Sequence, residues 1–214
     1  MERSVMLLLI AWAVYFFVHS VSASESFKIA CQRRFPRIWP RYRLIYNVFA
    51  TVSLVLPLGA LWFIGNTELV VPRPPLVGLA LNVLCFCAIG AFFWSTRGYD
   101  MGAFIGFRPL KSSAQTVSDD GAPLNVSGFN RYVRHPWYTF LLIIVWSRPL
   151  DAGWLISALA ITAYVGIGIR FEERKLVSVY GARYLKYQRE VNAFVPTPGK
   201  VLSPARALQL GSAQ

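Results

Sequence analysis

Long apolar runs separated by basic segments form the main pattern of this chain. A helix of about 20 apolar residues crosses a hydrocarbon core of about 30 Å, and most of the runs reach that length. The five predicted spans are about 5–21, 44–64, 76–94, 137–149 and 153–170. Pro149 and Gly153 favour a tight turn between the last two, so these form a helical hairpin. The pattern predicts an all-α integral membrane protein with five transmembrane helices.

The polar segments complete this picture of one integral-membrane domain over 1–214. A long cytoplasmic loop is predicted at 97–134. After the last span the apolar residues recur at spacings of three and four, which is typical of an amphipathic helix. These residues are Leu176, Val179, Tyr180, Tyr184, Tyr187 and Val191. We therefore predict a C-terminal interfacial helix over 171–192 that lies along the cytoplasmic face of the membrane.

The basic residues predict the orientation in the membrane. The chain is 55% hydrophobic and has 22 Lys and Arg against 10 Asp and Glu, giving a net charge of +12. With five spans, every Lys and Arg except Arg3, Arg73 and Arg148 falls on one side. Basic loops stay in the cytoplasm, so we predict a multi-pass membrane protein with its N-terminus outside and its C-terminus cytoplasmic. This charge suits anionic lipid headgroups, and it indicates no nucleic-acid partner.

The first apolar run has a second interpretation, a cleaved signal peptide, because the stretch from Val21 to Ala23 resembles a small-residue cleavage site. A retained span is favoured, since Glu2 offsets Arg3 and the six basic residues that follow the run resist translocation. The composition also argues against a metal site. Three Cys and two His are too few and too scattered for a disulfide framework or a metal cage.

Arg134, His135 and Pro136 stand where the cytoplasmic loop enters the hairpin. Proline is well placed in the first turn of a helix, so His135 is predicted at a helix N-terminus. Free backbone N–H groups there favour an anion, such as the carboxylate of a small ligand. The alternative is structural: Arg134 reaches toward lipid phosphate and His135 caps the helix.

Glu172 and Glu173 form a second polar cluster at the other end of the hairpin. They could pair with neighbouring arginines, or they could accept hydrogen bonds from a ligand ammonium group. A short hairpin places its two polar ends on one face of the membrane. We therefore predict that both clusters contribute to one site.

In their order along the chain, these motifs resemble those of the isoprenylcysteine carboxyl methyltransferase superfamily. Its signature is an Arg-His-Pro-x-Tyr motif and a downstream Glu-Glu pair around a helical hairpin. The matching segments are 124–128, 131–138, 172–176, Tyr180, Gly181, Tyr184, Tyr187 and Val191. Further segments are similar to the bacterial branch that contains methanethiol S-methyltransferases and NnrU-like membrane proteins. These segments are His19, Ser20, 40–47 and 104–108.

The resemblance implies S-adenosylmethionine as the cofactor, enclosed between the loop, the hairpin and the C-terminal helix. It implies an acceptor that is a thiol or a lipophilic small molecule entering from the bilayer. The implied cofactor-binding residues are Gln115, Leu124, Asn125, Asn130, Arg134, His135, Pro136, Trp137, Tyr138 and Glu172. Arg170 and Glu172 are the predicted catalytic residues, since a cation near the acceptor favours a thiolate.

Three positions depart from the family pattern. Asn130 replaces a tyrosine, Phe140 replaces a glycine, and Gly168 replaces an arginine of the eukaryotic enzymes, with Arg170 as the nearest cation. The resemblance therefore does not extend to recognition of a prenylcysteine carboxylate. Two other functions fit the same motifs: a non-enzymatic NnrU-like accessory role, and NADPH-dependent reduction of the sterol reductase type, although those reductases usually have more spans.

Overall fold

The computed structural model describes residues 2–64, 70–108 and 124–212. These residues form helices and contain no named strand, so the all-α prediction is confirmed for the described part of the chain. The α-helices are α1 Glu2–Ala23, α2 Glu25–Arg34, α3 Tyr42–Ser53, α4 Val55–Ile64, α5 Pro75–Ser95, α6 Met101–Ile105, α7 Pro136–Ser147, α8 Ala152–Tyr180, α9 Ala182–Glu190 and α10 Pro204–Ser212. Short 3-10 turns cover Trp39–Arg41, Thr96–Gly98 and Gly128–Arg131.

Four helical segments in the described residues are long and apolar enough to cross a membrane, and they indicate a multi-pass membrane protein. They are Arg3–Ala23, Trp39–Ile64, Pro75–Gly98 and Ala152–Tyr180. Large apolar side chains on them, Trp62 and Phe63 for example, are almost fully exposed, as lipid-facing residues are. Helix α7 has 12 residues and is about 18 Å long, which is short of the hydrocarbon core. The fifth span therefore stays a prediction.

Helix α8 differs from the predicted boundaries. We expected a span ending at residue 170 and a separate helix over 171–192, but α8 continues through Glu172 and Glu173 to Tyr180. Nothing between Ile169 and Tyr180 breaks a helix, and the interruption comes at Gly181, whose φ of 57° favours glycine. With 29 residues, α8 is about 43 Å long, which exceeds the hydrocarbon thickness. Its last turns therefore carry polar residues on the same rigid helix that provides the span.

The described residues divide between two compact units. The first has the bounds Met1–Pro72, Gly98–Asp119 and Pro149–Ala160, and the second has Arg73–Arg97, Asp120–Arg148 and Ile161–Gln214. In the first unit α1 packs on α4, and the buried Trp12 indole donates to Ser157 Oγ at 3.0 Å. Gly106 ends α6 with a φ of 96°, and its backbone lies directly against Arg43 and Leu44 at the start of α3.

The second unit contains both polar clusters. Helix α5 packs along α7, where the Trp137 indole donates to Ser95 Oγ at 2.8 Å. A separate apolar core holds α9 and α10 together with the segment that precedes α7. Its buried residues are Leu124, Val126, Tyr184, Tyr187, Val191, Leu202, Ala207 and Leu210. This core fixes α9 beside the polar end of α8, where the candidate site lies.

Candidate functional site

The entry to α7 is fixed by main-chain hydrogen bonds. Pro136 begins the helix and His135 is its N-cap residue, as the sequence predicts. The backbone N–H of Arg134 donates to Asn192 O at 2.8 Å, and that of His135 donates to Ala193 O at 3.0 Å. The segment before α7 therefore runs beside the segment that follows α9, with a parallel bridge between Val133 and Asn192. This pairing sets the direction of the Arg134 and His135 side chains.

Arg134 connects α8 to the end of α9. Its Nε lies 2.7 Å from Glu173 Oε1 and its Nη2 lies 2.5 Å from the same oxygen. Its Nη1 donates to Val191 O at 2.5 Å and to Gln188 O at 3.2 Å. The α9 C-terminus leaves carbonyl groups that a guanidinium satisfies well. The Arg134 side chain is only 10% exposed, so it holds the site together rather than reaching toward lipid.

Glu173 is the acceptor around which this site is built. Besides Arg134, its Oε1 lies 3.0 Å from His135 Nε2 and 3.4 Å from the Tyr184 hydroxyl. Its Oε2 accepts from Gln188 Nε2 at 2.9 Å. The side chain is 16% exposed, and the guanidinium of Arg134 balances its charge. A partly buried carboxylate with this many donors is held in one orientation.

Glu172 has a different environment from its neighbour. Consecutive residues point about 100° apart around a helix, so only one of the two can face α9. The Glu172 side chain is 43% exposed, and its Oε2 lies 3.9 Å from His135 Nδ1. That separation is beyond a hydrogen bond. Glu172 therefore presents an accessible carboxylate beside the buried His135 ring.

The hairpin of α7 and α8 keeps these groups in register. Near the far end of α7, Trp146 Nε1 donates to Thr162 Oγ1 at 3.0 Å. His135 lies eleven residues before Trp146, and Glu173 lies eleven residues after Thr162. The two contacts therefore belong to one antiparallel pairing of helices. The structure thus brings Arg134 and His135 to the glutamate pair, and the contact runs chiefly through Glu173.

A cleft of about 360 Å³ opens next to Glu173. It is lined by Arg170, Glu173, Arg174, Val177 and Gln188. The four α8 residues in this set follow the helical spacing of three and four, so they form one face of the helix. Both arginines are exposed. Because Arg134 balances Glu173, the two arginines leave the cleft with an excess of positive charge that favours an anionic group.

Tyr184 closes the buried side of the cluster. Burial raises the pKa of its hydroxyl far above the usual range, and the nearby Glu173 carboxylate adds to the shift. The phenol therefore stays protonated and acts as a donor toward Glu173. Gln188, one turn further along α9, is the other neutral donor on this side. Neither residue was among our predicted site residues.

The loop residues of the prediction lie in several different places. Gln115 is outside the described residues. Leu124 is buried in the apolar core, and the exposed Asn125 accepts from the N–H and hydroxyl of Ser127 in a local turn. Asn130 is buried, and its backbone oxygen accepts from the Tyr187 hydroxyl at 2.5 Å. These contacts hold Leu124, Asn125 and Asn130 in place, and none of them involves Glu173 or His135.

The aromatic residues of the motif point in two directions. Trp137 turns toward α5, where it bonds to Ser95 and packs edge-on against Phe92. The Tyr138 ring stays on the histidine side, with its centroid 5.8 Å from that of His135. Pro136 is buried at the start of α7. Of the predicted residues, Arg134, His135, Tyr138 and Glu172 therefore belong to the cluster around Glu173, and Arg170 lines the adjoining cleft.

The sequence predicted that the glutamate pair belongs to the site, but the predicted site residues included Glu172 and not Glu173, Tyr184 or Gln188. The helical spacing of Arg170, Glu173 and Val177 could have identified Glu173 as the residue facing the cleft. Gln188 and Tyr184 could be found only by knowing that α9 folds back against α8. That contact depends on the turn at Gly181, which the predicted continuous helix did not contain.

Comparison with known proteins identifies relatives along most of the chain. It is 28% identical over 208 residues to a methanethiol S-methyltransferase of Mycobacterium tuberculosis. The matched region covers 92% of this chain and 80% of the relative. A protein of the same name from Crocosphaera subtropica is 28% identical over 85% of this chain and 71% of its own length. One from a Pseudomonas species is 43% identical over 67 residues, 31% of this chain and 26% of the relative.

No family model matches the chain, and no solved structure matches it. These relatives nonetheless carry the same name. The chain is a distant homologue of methanethiol S-methyltransferases, a branch of membrane methyltransferases that resembles the isoprenylcysteine carboxyl methyltransferases. The resemblance predicted from the motifs is confirmed.

Proposed function

We propose that this chain is an integral-membrane methyltransferase that transfers the methyl group of S-adenosylmethionine to the sulfur of a small thiol. The observation that carries the proposal is the similarity over 85% to 92% of the chain to methanethiol S-methyltransferases. The candidate spans support an enzyme embedded in a bilayer. A polar cluster and a cleft at the end of α8 supply a location for the reaction.

The residues around the cleft fit the methyl donor. Arg170 and Arg174 in the cleft match the carboxylate of an amino acid, and the exposed Glu172 on another face of α8 matches its ammonium group. The cleft volume of about 360 Å³ lies in the range of small-molecule sites. In this proposal Glu172 holds the ammonium group and Arg134, through Glu173, keeps the cleft in shape. His135 and Tyr138 belong to the polar cluster beside Glu172.

Methyl transfer from a sulfonium ion to a thiolate is an in-line displacement. The bound donor supplies an activated methyl group, and the protein supplies orientation and exclusion of water. Arg170, at the rim of the cleft, favours the charged form of the acceptor. The long, rigid α8 carries Arg170 and both glutamates, so these groups keep fixed mutual positions.

We propose the orientation that the basic residues indicate, with the C-terminus in the cytoplasm of a bacterium. In that orientation the last turns of α8 extend from the membrane toward the compartment in which S-adenosylmethionine is made. A small apolar thiol reaches the same site from the bilayer. Cysteine-scanning with a membrane-impermeant reagent, at exposed positions such as Ser178 on α8, tests this orientation. Labelling of Ser178→Cys in intact cells would show that the C-terminal side lies outside and would contradict the proposal.

The direct test is binding and turnover with purified protein in detergent. We expect calorimetry to detect S-adenosylmethionine binding and gas chromatography to detect dimethyl sulfide formed from methanethiol. Glu172→Ala should weaken cofactor binding at least tenfold, whereas Glu25→Ala, at an exposed carboxylate on α2, should leave it unchanged. Absence of both binding and product in the wild type would overturn the proposal.

A further inference from the structure

The two ring nitrogens of His135 have different surroundings. Nε2 lies 3.0 Å from Glu173 Oε1, an oxygen that also receives the Arg134 guanidinium. An ionised carboxylate only accepts hydrogen bonds, so Nε2 carries the proton in this contact. Because Arg134 balances the charge of Glu173, that carboxylate does not require a charged imidazole as a counterion. With the proton on Nε2, a neutral ring has its lone pair at Nδ1.

Nδ1 is free to act on a ligand. It makes no hydrogen bond with the described residues, and its nearest carboxylate oxygen is Glu172 Oε2 at 3.9 Å. Among the described residues no fully buried side-chain nitrogen or oxygen lacks a partner, so Nδ1 lies at an accessible edge of an otherwise buried ring. It lies toward the exposed Glu172 carboxylate, which is proposed to hold the ammonium group of the methyl donor.

We propose that His135 Nδ1 is the general base that removes the proton of the acceptor thiol, and that Glu173 is the positioning residue that fixes the ring for this task. The inference rests on the proposed function and adds the way in which the acceptor becomes reactive. The reference pKa of a cysteine thiol is about 8.5, so a thiol is mostly protonated near pH 7. The thiolate is the nucleophile, and its formation therefore needs an acceptor for the proton.

The proposed step balances in atoms and charge. The thiol proton moves to Nδ1, and the electron pair of the S–H bond stays on sulfur. That sulfur forms a bond to the methyl carbon while the bond from this carbon to the sulfonium sulfur breaks, leaving its electron pair on the departing sulfur. The imidazolium pairs with Glu172 Oε2 and releases its proton through this exposed carboxylate to water.

The groups around the ring are placed to stabilise an imidazolium that forms during the reaction. Arg134 and Glu173 offset one another, and Tyr184 stays neutral because burial raises its pKa. Glu172 is the remaining charge, positioned to stabilise the imidazolium only after it forms. A carboxylate that orients an imidazole, which in turn activates a nucleophile, is a recurrent arrangement in enzymes.

The test is a series of thiols of decreasing pKa with wild type and His135→Gln. The glutamine amide can donate to Glu173 as Nε2 does, but it has no basic nitrogen. We expect kcat/KM for alkanethiols to fall about 10²- to 10⁴-fold, the usual contribution of a general base. The loss should shrink as the thiol pKa falls below the assay pH, so the ratio of wild-type to variant kcat/KM should depend on thiol pKa. His19→Gln, at the other histidine, should show no dependence on thiol pKa.

A wild-type measurement keeps the inference testable even if the variant does not fold. With only two histidines in the chain, ¹⁵N-histidine NMR can resolve both rings, and His135 should be the neutral Nε2–H tautomer at the assay pH. A protonated Nδ1 under those conditions, or equal losses for ionised and neutral thiols in His135→Gln, would overturn the inference. Failure of the proposed function looks different, because the wild type would then show neither cofactor binding nor product.

Discussion

Glu173 Oε1 lies 2.7 Å from Arg134 Nε, and this contact joins the entry of α7 to the last turns of α8. The two residues are 39 positions apart in the sequence, and their side chains are only 10% (Arg134) and 16% (Glu173) exposed. Removing one partner of such a pair leaves the other as an uncompensated charge. The stability of this end of the molecule should therefore depend strongly on Glu173 and little on its neighbour.

Glu173→Ala should reduce stability by about 2–4 kcal/mol, because Arg134 loses its counterion while Tyr184 and Gln188 lose an acceptor. Glu172→Ala is the matched control on the same turn, and its exposed side chain should change stability by less than about 0.5 kcal/mol. Unfolding in detergent measured by near-UV circular dichroism distinguishes the two variants. Equal losses would mean that the two glutamates share the structural role.

Trp137 should act as a link between α5 and α7. Its indole bonds to Ser95 Oγ at 2.8 Å, and a hydrogen bond between neutral groups contributes about 1 kcal/mol. Trp137→Phe and Ser95→Ala should each destabilise the protein, and the double variant should show a coupling of about 0.5–1.5 kcal/mol. The measurement is a double-mutant cycle of unfolding in detergent.

Cofactor affinity in the same variants distinguishes a structural role of Trp137 from a role in cofactor binding. If Trp137 instead lines the cofactor, as the family resemblance implies, Trp137→Phe will weaken S-adenosylmethionine binding and the coupling to Ser95 will be near zero. Phe92 packs on the same indole, so Phe92→Leu should lower stability in the same direction as Ser95→Ala.

Gly106 should tolerate no side chain. Its φ of 96° is unfavourable for other residues, and an added Cβ would lie 2.8 Å from Arg43 Cβ. Gly106→Ala should therefore lower stability by about 1–3 kcal/mol, through strain and through displacement of α6 from the start of α3. Gly98→Ala is the control, because nothing lies within 4 Å of a Cβ there. Thermal unfolding of both variants tests the comparison, and equal midpoints would contradict it.

The sequence was sufficient for the chemistry-bearing motifs and for most of the helices. Pro136 predicted the start of α7, and apolar runs predicted the long spans, because both signals are local. The role of Glu173 depends on Gln188 and Tyr184, which reach it only through the fold of α9 over α8. The cofactor role of Trp137 is implied by the family resemblance and stays a prediction, whereas its bond to Ser95 on α5 depends on helix packing that the sequence does not show.

The contact between Glu190 and Arg206 should make docking of α10 depend on pH. Arg206 donates to both carboxylate oxygens, and this hydrogen-bonded pair lowers the pKa of Glu190 below its usual value. A carboxylate with a depressed pKa in the folded state stabilises that state above its unfolded pKa of about 4.3. That contribution is lost as the pH falls through the pKa that Glu190 has in the folded state.

Glu190→Gln should therefore speed hydrogen exchange in α10 at pH 7, relative to wild type measured at the same pH. The difference should disappear in acid below the folded pKa of Glu190, and it should shrink in high salt because the pair is partly exposed. A difference that persists unchanged in acid would show that the glutamate holds α10 by packing rather than by charge.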